Sequence, residues 1–483
     1  MWLVRSGSSQ SLSESVWHIL KGLRLIPLAL LERLITTQRG SRLGKRLCQH
    51  RSSIPAVSTL RANDHMALKE AKKPKNIVAS FICFCKNMGF LMILLLSLCC
   101  TSFCPNTANA AIFDVTAYGA KGDGRTDDTQ AFIHAWADLC GDTTLNPTLV
   151  VPPDMTFLVT TVIFNGSSCI SPTLNIKILG NITAPTTLEG WKDCEARQFW
   201  IYVTMVQGLT IDGPGQIDGQ GSTWWRNGET TPTCDRPSVV HFYQCNNLRV
   251  NGTRHVNSPF LHISINNCDD VDIGYLQIIA PADSPNTDGI DISGSSRINI
   301  HDCNIQTGDD CVAINGGVID MNVTGVLCGP GHGISIGSLG ENGSHDTVEQ
   351  VRIQNCNLTG TANGLRIKTA PDGTGYAKGI IFQDIYLENV LNPIIIDQHY
   401  CLSSTITNCL VPDATTGVQV SDVTYMNIYG TSASIQAITF NCSETIKCTN
   451  IVTKNVQITG GEVAYCKNVE GDFADTTPSV SCE

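Results

Sequence analysis

GIDISGSSRINIHDCNIQTGDDCVAINGGVIDMNVTGVLCGPGHGISI, residues 289–336, carries one short phrase three times. Gly289-Ile290-Asp291-Ile292 is followed by Cys311-Val312-Ala313-Ile314 and then by Gly333-Ile334-Ser335-Ile336, each 22 residues after the last. The phrase extends outward in both directions. His262-Ile263-Ser264-Ile265 stands 27 residues upstream, and Gly364-Leu365-Arg366-Ile367 and Pro393-Ile394-Ile395-Ile396 follow at steps of 31 and 29. Between these members lie other β-branched runs, among them LRVNGTRHV (248–256), VDIGYLQII (271–279), INIHDCNI (298–305), VRIQNCNL (351–358), IIFQDIYL (380–387) and VTYMNIYG (423–430), broken by Asn, Gly, Asp and Thr. Helical periodicity is nearly confined to Asp127 to Leu139.

Repeats of 20–50 residues made of short strands, with almost no helix between them, predict a solenoid of the parallel β-helix kind. One rung of two or three strands has no way to bury its apolar side alone. Stacking rungs about 4.8 Å apart pairs the backbones and lines up inward side chains. Ile290, Val312, Ile334 and Leu365 then form one inward ladder, and Ile292, Ile314, Ile336 and Ile367 the next. Asparagines at the rung corners tolerate left-handed backbone. A β-sandwich or propeller leaves the shared phrase unexplained. The expected fold is therefore all-β: a single-domain right-handed parallel β-helix, with the 127–139 segment as a short N-terminal capping helix.

In that register polar residues stack as well. Asp288, Asp310 and His332 are spaced by 22 residues, each just before the residue that opens an aligned strand. Asp309 lies beside Asp310. Arg366 and Lys368 straddle Ile367, so alternation points both cations outward together. Strict alternation would turn Asp288 inward, which predicts a bend next to it. Two or more carboxyl groups flanking a bond suit glycoside hydrolysis, where one gives a proton to the leaving oxygen and another activates water. Crowded carboxylates raise one another's pKa, keeping an acid protonated. An adjacent Arg and Lys suit a substrate that carries a carboxylate on every sugar.

NTDGID (286–291), GDD (308–310), GHGISIGSLG (331–340) and RIK (366–368) resemble, in order and spacing, the four signature motifs of polygalacturonases, glycoside hydrolase family 28. The resemblance runs over essentially all of 111–483, beginning at FDVTAYGAKGDGRTDDTQAF (113–132), which looks like the start of mature plant members. It implies an inverting mechanism on the α-1,4 bonds of pectin's homogalacturonan. Asp309 is implied as general acid, Asp288 and Asp310 as the pair that holds and deprotonates water, and His332 as the support of the acid. Arg366, Lys368 and Tyr400 are implied as substrate contacts, with Asn286 a polar neighbour. No cofactor and no metal is assigned, and the chain is expected to act as a monomer.

Composition agrees with a secreted carbohydrate enzyme. Residues 1–110 hold 15 Lys/Arg against 4 Asp/Glu, whereas 111–483 hold 17 against 39, a formal charge of −22. That balance is opposite to a nucleic-acid binder's. The apolar run Gly89 to Cys100, followed by Ala108-Asn109-Ala110, has the layout of a signal peptide. We expect 1–87 to be a basic non-structural extension, 88–110 the signal h-region and cleavage site, and 111–483 the catalytic domain. Export to the cell wall, with no stable membrane association after cleavage, follows from this organisation. The 16 cysteines from Cys140 onward read as a disulfide set, with Cys311–Cys328, Cys401–Cys409, Cys442–Cys448 and Cys466–Cys482 as local bridges. Seven N-x-S/T sequons begin at Asn165, Asn181, Asn251, Asn322, Asn342, Asn357 and Asn441.

Several acidic and aromatic groups read as structural. Asp123, Asp127 and Asp128, and Asp269-Asp270, are expected to cap turns, and Trp224-Trp225 to pack as readily as to stack on sugar. Two rival functions remain open. A pectate lyase uses the same fold, with calcium held by acidic residues and a basic residue as proton acceptor. A non-enzymatic β-helix would bind pectin without cutting it.

Overall fold

The computed structural model describes residues 110–191, 198–225, 235–401 and 416–483. Among them every strand pairing is parallel, and the strands fall into two long ladders, one of 11 strands and one of 22. The first ladder carries the repeated phrase. Its strands are β1 (Val162–Asn165), β2 (Phe199–Thr204), β3 (Ser238–Tyr243), β4 (Ile263–Asn266), β5 (Ile290–Ser293), β6 (Val312–Ile314), β7 (Ile334–Leu339), β8 (Asn363–Thr369), β9 (Asn392–Asp397), β10 (Gln436–Asn441) and β11 (Val463–Lys467). Each pairs with the next in chain order, which is the topology of a parallel β-helix. Right-twisted strands make such crossovers right-handed.

The register read from sequence is the one found. Ile263, Ile290, Val312, Ile334, Leu365 and Ile394 pair in succession, as do Ile265, Ile292, Ile314, Ile336, Ile367 and Ile396. All twelve are fully buried. Each inward Ile, Leu or Val contributes about 1.5–3 kcal/mol of transfer free energy. The alternate residues form one outward column: Tyr202, His241, Ser264, Asp291, Ala313, Ser335, Arg366, Ile395 and Thr439.

In the 22-strand ladder the middle rungs supply two strands that meet at a corner, as in Asp269–Gly274 and Gln277–Ile279, and the later rungs run one strand through it, as in Thr374–Val390. The corner residue has left-handed backbone on rung after rung: Tyr275, Asp302, Gly325, Asn355, Asp384, Asn427 and Asn455. Asn and Asp dominate because their short polar side chains tolerate that region. Asn427 and Asn455 also link to their neighbours, donating to Asp384 at 2.7 Å and Asn427 at 2.9 Å.

The N-terminal helix, α1, spans Thr129–Gly141, two residues later than expected. Asp127 is taken by the ladder, where it pairs with Leu158. Phe132, Ala135, Trp136 and Leu139 are buried, with the Trp136 ring 4.9 Å from Phe164 and Phe132 edge-on to Phe157 at 5.8 Å. The helix thus closes one end of the coil with an apolar face. Asp128 accepts the amides of Lys121 and Gly122, and Asp123 those of Arg125 and Thr126, which are turn roles.

The bridges Cys311–Cys328, Cys442–Cys448 and Cys466–Cys482 are formed, and Cys140–Cys169 ties α1 to the first rungs. Cys401 is disulfide-bonded, whereas Cys409 lies outside the described residues. The expectation that every cysteine pairs is corrected. Cys245, Cys268, Cys303 and Cys356 are free and buried. They occupy inward corner positions, where thiols serve as small apolar fillers. Cys303 and Cys356 share a column with Val326 between them, which separates their sulfurs by two rungs. Trp224 and Trp225 pack: Trp224 is edge-on to Trp191 at 5.6 Å, and Trp225 donates to the Ser258 carbonyl. Asp269 and Asp270 form ion pairs across the rungs, with Arg297 and with Arg249.

Candidate active site

The residues before β5, β6 and β7 arrive on one side of the coil because the strands they open are in register. Gly289 donates its amide to the Asp310 carbonyl at 2.9 Å, and His332 donates its own to the Asp309 carbonyl at 2.7 Å. Asp288, Asp309-Asp310 and His332 therefore stand on three consecutive rungs. The turn that bears the aspartate pair packs closely on the rung before it. A Cβ at Gly308 would lie 1.9 Å from the Ser284 carbonyl oxygen, so only glycine fits there.

The bend expected near Asp288 exists. Thr287 is fully buried, and its Oγ1 accepts the Gly308 amide at 3.0 Å, while Asp288 stays partly exposed. His262, fully buried one rung away, holds the Asp288 carbonyl at 3.0 Å from Nδ1. Its Nε2 accepts the Ser258 amide at 3.3 Å, which fixes Nδ1 as the protonated nitrogen. Burial lowers the His262 pKa to about 4, so the ring is neutral near neutrality.

Asp310 is 1% exposed and fully bonded. Its Oδ1 accepts from Ser335 Oγ at 2.7 Å and from Arg366 Nη2 at 2.7 Å, and its Oδ2 from Lys368 Nζ at 3.2 Å. Arg366 Nε also donates to Ser335 Oγ at 2.8 Å. Here the reading of Arg366 and Lys368 as an outward pair free for substrate is refined. They do point away from the coil interior, but both are buried and ion-paired to Asp310. A buried carboxylate demands such partners, since an uncompensated one costs several kcal/mol. The Tyr400 ring lies over both cations, 5.9 Å from the Arg366 guanidinium carbon and 5.2 Å from Lys368 Nζ.

Asp309 is oriented differently. Its Oδ1 faces His332 Nδ1 at 2.8 Å and accepts the Asp310 amide at 2.9 Å. Its Oδ2 faces Asn286 Nδ2 at 3.5 Å. Burial alone would raise its pKa, but the hydrogen bond and charge of His332 outweigh burial and lower it. Asp288 moves the other way. Although part of the side chain meets solvent, desolvation by the surrounding protein comes first, then the charges of Asp310, Asp309 and Asp291, and together they push its carboxyl well above the usual range, with Lys368 opposing. Asp291, next in the outward column, is raised to about 6, chiefly by burial, while a 2.8 Å hydrogen bond from Asn315 resists.

All eight residues singled out in the sequence thus converge: Asn286, Asp288, Asp309, Asp310, His332, Arg366, Lys368 and Tyr400. Three others belong with them, and sequence reasoning missed their roles. Ser335 and Asp291 lie in the outward column that contains Arg366, a signal that the register already held. Arg236 reaches Asn286 from 50 residues upstream, ahead of a strand that the repeated phrase does not mark. One donor atom from each of Asp309, Asp310 and His332 falls within a 4.8 Å cluster, the size of a metal site. Asp310 is held by two cations and a hydroxyl, and His332 Nδ1 faces Asp309, so a divalent ion there would compete with Arg366 and Lys368 for the Asp310 oxygens.

Residues 140–482 match the model of Glycosyl hydrolases family 28. The polygalacturonase QRT2 of Arabidopsis thaliana is 42% identical over 369 residues, covering 74% of this chain and 82% of that protein. A polygalacturonase of Malus domestica is 42% identical over 370 residues, 76% of this chain and 78% of its own. Among solved structures, an exopolygalacturonase from Thermotoga maritima superposes with a TM-score of 0.64 at 22% identity, over 76% of this chain and 91% of that one. The polygalacturonase from Erwinia carotovora gives 0.60 at 22% identity, over 75% and 96%. At those identities the two structures speak for the shared fold, and the sequence match carries the family. The chain belongs to the glycosyl hydrolases of family 28.

Proposed function

We propose that this chain is a polygalacturonase that hydrolyses the α-1,4-galacturonosyl bonds of pectin with inversion at the anomeric carbon. The observation that carries the reading is the cluster itself: three aspartates on adjacent rungs, with Arg366 and Lys368 bonded to one of them. Family membership and the polygalacturonases among its relatives supply the reaction class.

In this mechanism Asp309 gives a proton to the glycosidic oxygen. The bonds of its Oδ1 to His332 and to the Asp310 amide leave Oδ2 as the oxygen that carries the proton. Asp288 and Asp310 flank the attacking water and receive its proton. The carboxylates are coupled, so a proton held by the cluster belongs to the set. In the free site burial and like charge place it on Asp288. A galacturonate carboxylate drawn to Arg366 and Lys368 adds negative charge beside Asp309, raises its pKa and recruits the proton to the acid. The substrate's own charge thereby readies the site for cleavage. Tyr400 covers the two cations and shapes that contact.

We further propose an exported protein that acts in the cell wall as a monomer, with 1–87 outside the catalytic fold, 88–110 removed as a signal and 111–483 as the catalytic domain. The disulfides support an oxidising compartment. Sequon asparagines 165, 181, 251, 342 and 357 are exposed or partly exposed, as glycan attachment requires. No described helix is long and apolar enough to cross a membrane.

The test is incubation of the purified protein with polygalacturonate in the presence of a chelator. New reducing ends, without an ultraviolet-absorbing unsaturated sugar, are expected. Loss of activity to the chelator with an absorbing product would make it a lyase. Binding without cleavage would make it a wall-binding protein.

A further inference from the structure

Arg236 stands two rungs before Asn286 at the same offset from its strand, since Val240, Ile263 and Ile290 are in register. Its side chain and the hydrogen bonds at its tip together bridge two rungs, roughly 10 Å of ladder, passing over the Phe260 ring with the guanidinium carbon 5.3 Å from the ring centre. There Nη1 donates to the Pro285 carbonyl and Nη2 to Asn286 Oδ1, both at 2.6 Å. Asn286 itself has left-handed backbone, with φ 55°. One planar cation therefore clamps the main chain and the side chain of the turn that carries Asn286 and Asp288.

The clamp has a chemical consequence. A guanidinium has only donors, so the amide face turned toward it must be the oxygen. The other face, Nδ2, is thereby turned toward Asp309 Oδ2 at 3.5 Å. Reversing the amide would set N–H against N–H on one side and oxygen against carboxylate oxygen on the other. Resting on the proposed acid role of Asp309, we propose that Arg236 is a positioning residue. It fixes Asn286 as a hydrogen-bond donor to the oxygen from which the proton departs. As Oδ2–H transfers its proton to the glycosidic oxygen, Asp309 becomes a carboxylate, and the fixed N–H stabilises the charge that develops. Arg236 touches no reacting atom; it acts through Asn286.

Preorganised donors of this kind are worth about 10²–10³ in kcat when fully formed. At 3.5 Å in the free protein a smaller effect is expected, about 10-fold. Arg236→Gln, Arg236→Lys, Asn286→Ala and the double variant Arg236→Gln/Asn286→Ala are compared on a defined oligogalacturonate, with kcat, KM, pH–rate profile and thermal melt for each. Arg236→Gln is expected to lower kcat about 10-fold with KM within about 2-fold. Loss of the donor raises the Asp309 pKa, so the alkaline limb, where the acid must stay protonated, moves to higher pH. Arg236→Lys keeps a point charge without the planar fork and recovers part of kcat. The double variant is expected to be no slower than Asn286→Ala alone, because the two residues act as one unit.

An unchanged kcat and alkaline limb in Arg236→Gln, or a drop in melting temperature alone, overturns the proposal, as do additive losses in the double variant. If Arg236→Gln does not fold, Arg236→Lys with the wild-type kcat and pH profile overturns it equally. A wild-type protein that fails to hydrolyse the oligogalacturonate sinks the proposed function, and this inference with it. An active wild type with an indifferent Arg236 sinks the inference alone.

Discussion

Asp288 and Asp310 stand on neighbouring rungs, yet their surroundings give them opposite effects on stability. Asp310 is compensated by Arg366, Lys368 and Ser335. Asp288 gains only a weaker, opposing influence from Lys368, and burial and the adjacent carboxylates raise its pKa. An acid whose pKa is raised by folding stabilises the folded state only while protonated. That contribution is complete below the unfolded value, about 3.9, and is lost as pH rises through the folded value. Two like charges one rung apart, about 5 Å, repel by roughly 3 kcal/mol at an effective dielectric near 20. The cations on Asp310 offset part of this. Asp288→Asn is therefore predicted to stabilise the protein by about 1–3 kcal/mol at neutral pH, a rise of a few degrees in Tm, while abolishing turnover. Asp310→Asn leaves two buried cations short of a counter-charge and is predicted to cost about 3–5 kcal/mol. The freed cations then draw the proton off Asp288, which places the loss toward the lower end. Calorimetry of both variants and wild type, at one scan rate from about pH 3.5 to about pH 7.5, follows that loss upward from the unfolded value. The gain of Asp288→Asn over wild type should vanish at the acid end and grow as pH rises. A lower Tm for Asp288→Asn at the neutral end, or a higher one for Asp310→Asn, would show that the two aspartates are not so divided.

Three further outcomes follow from the geometry. Tyr400→Ala uncovers Arg366 and Lys368 and should raise KM for oligogalacturonate about 3-fold, in line with a cation–π contact of about 0.5–1 kcal/mol, whereas Tyr400→Phe keeps the ring and should match wild type. Replacing Cys311 and Cys328 with serine opens a bridge of sequence separation 17 beside the aspartate pair and should cost about 3 kcal/mol in chemical denaturation. Peptide mapping after maleimide treatment should find Cys245, Cys268, Cys303 and Cys356 unlabelled in the native protein and labelled after unfolding; native labelling would be incompatible with their inward placement.

The ladders were legible because every member of the phrase places an apolar residue on both sides of a variable one, and only stacking explains that recurrence. The same register brought the aspartates, His332, Arg366 and Lys368 to one side of the coil. Ser335 was hidden by its ordinariness: between Ile334 and Ile336 it reads as an outward filler, until Arg366 on the next rung is seen to need an acceptor. The pairing of Arg366 and Lys368 with Asp310 was hidden for a related reason. Alternation gives the side of the strand, but not whether a carboxylate waits there. Arg236 was out of reach because its contact depends on a side chain lying along the ladder over Phe260. The cysteine count misled, since four thiols fill inward corners that apolar residues fill on other rungs, and composition does not distinguish a filler from half of a bridge.

The assignment of Asp309 as proton donor stands or falls with Asp309→Asn, with turnover of polygalacturonate measured beside oligogalacturonate affinity and thermal melting on the same preparation. We expect a fall in kcat on the order of 10²–10⁴-fold, with affinity and fold retained. Hydrolysis at the wild-type rate by that variant would remove Asp309 from the acid role and leave the mechanism without its first step.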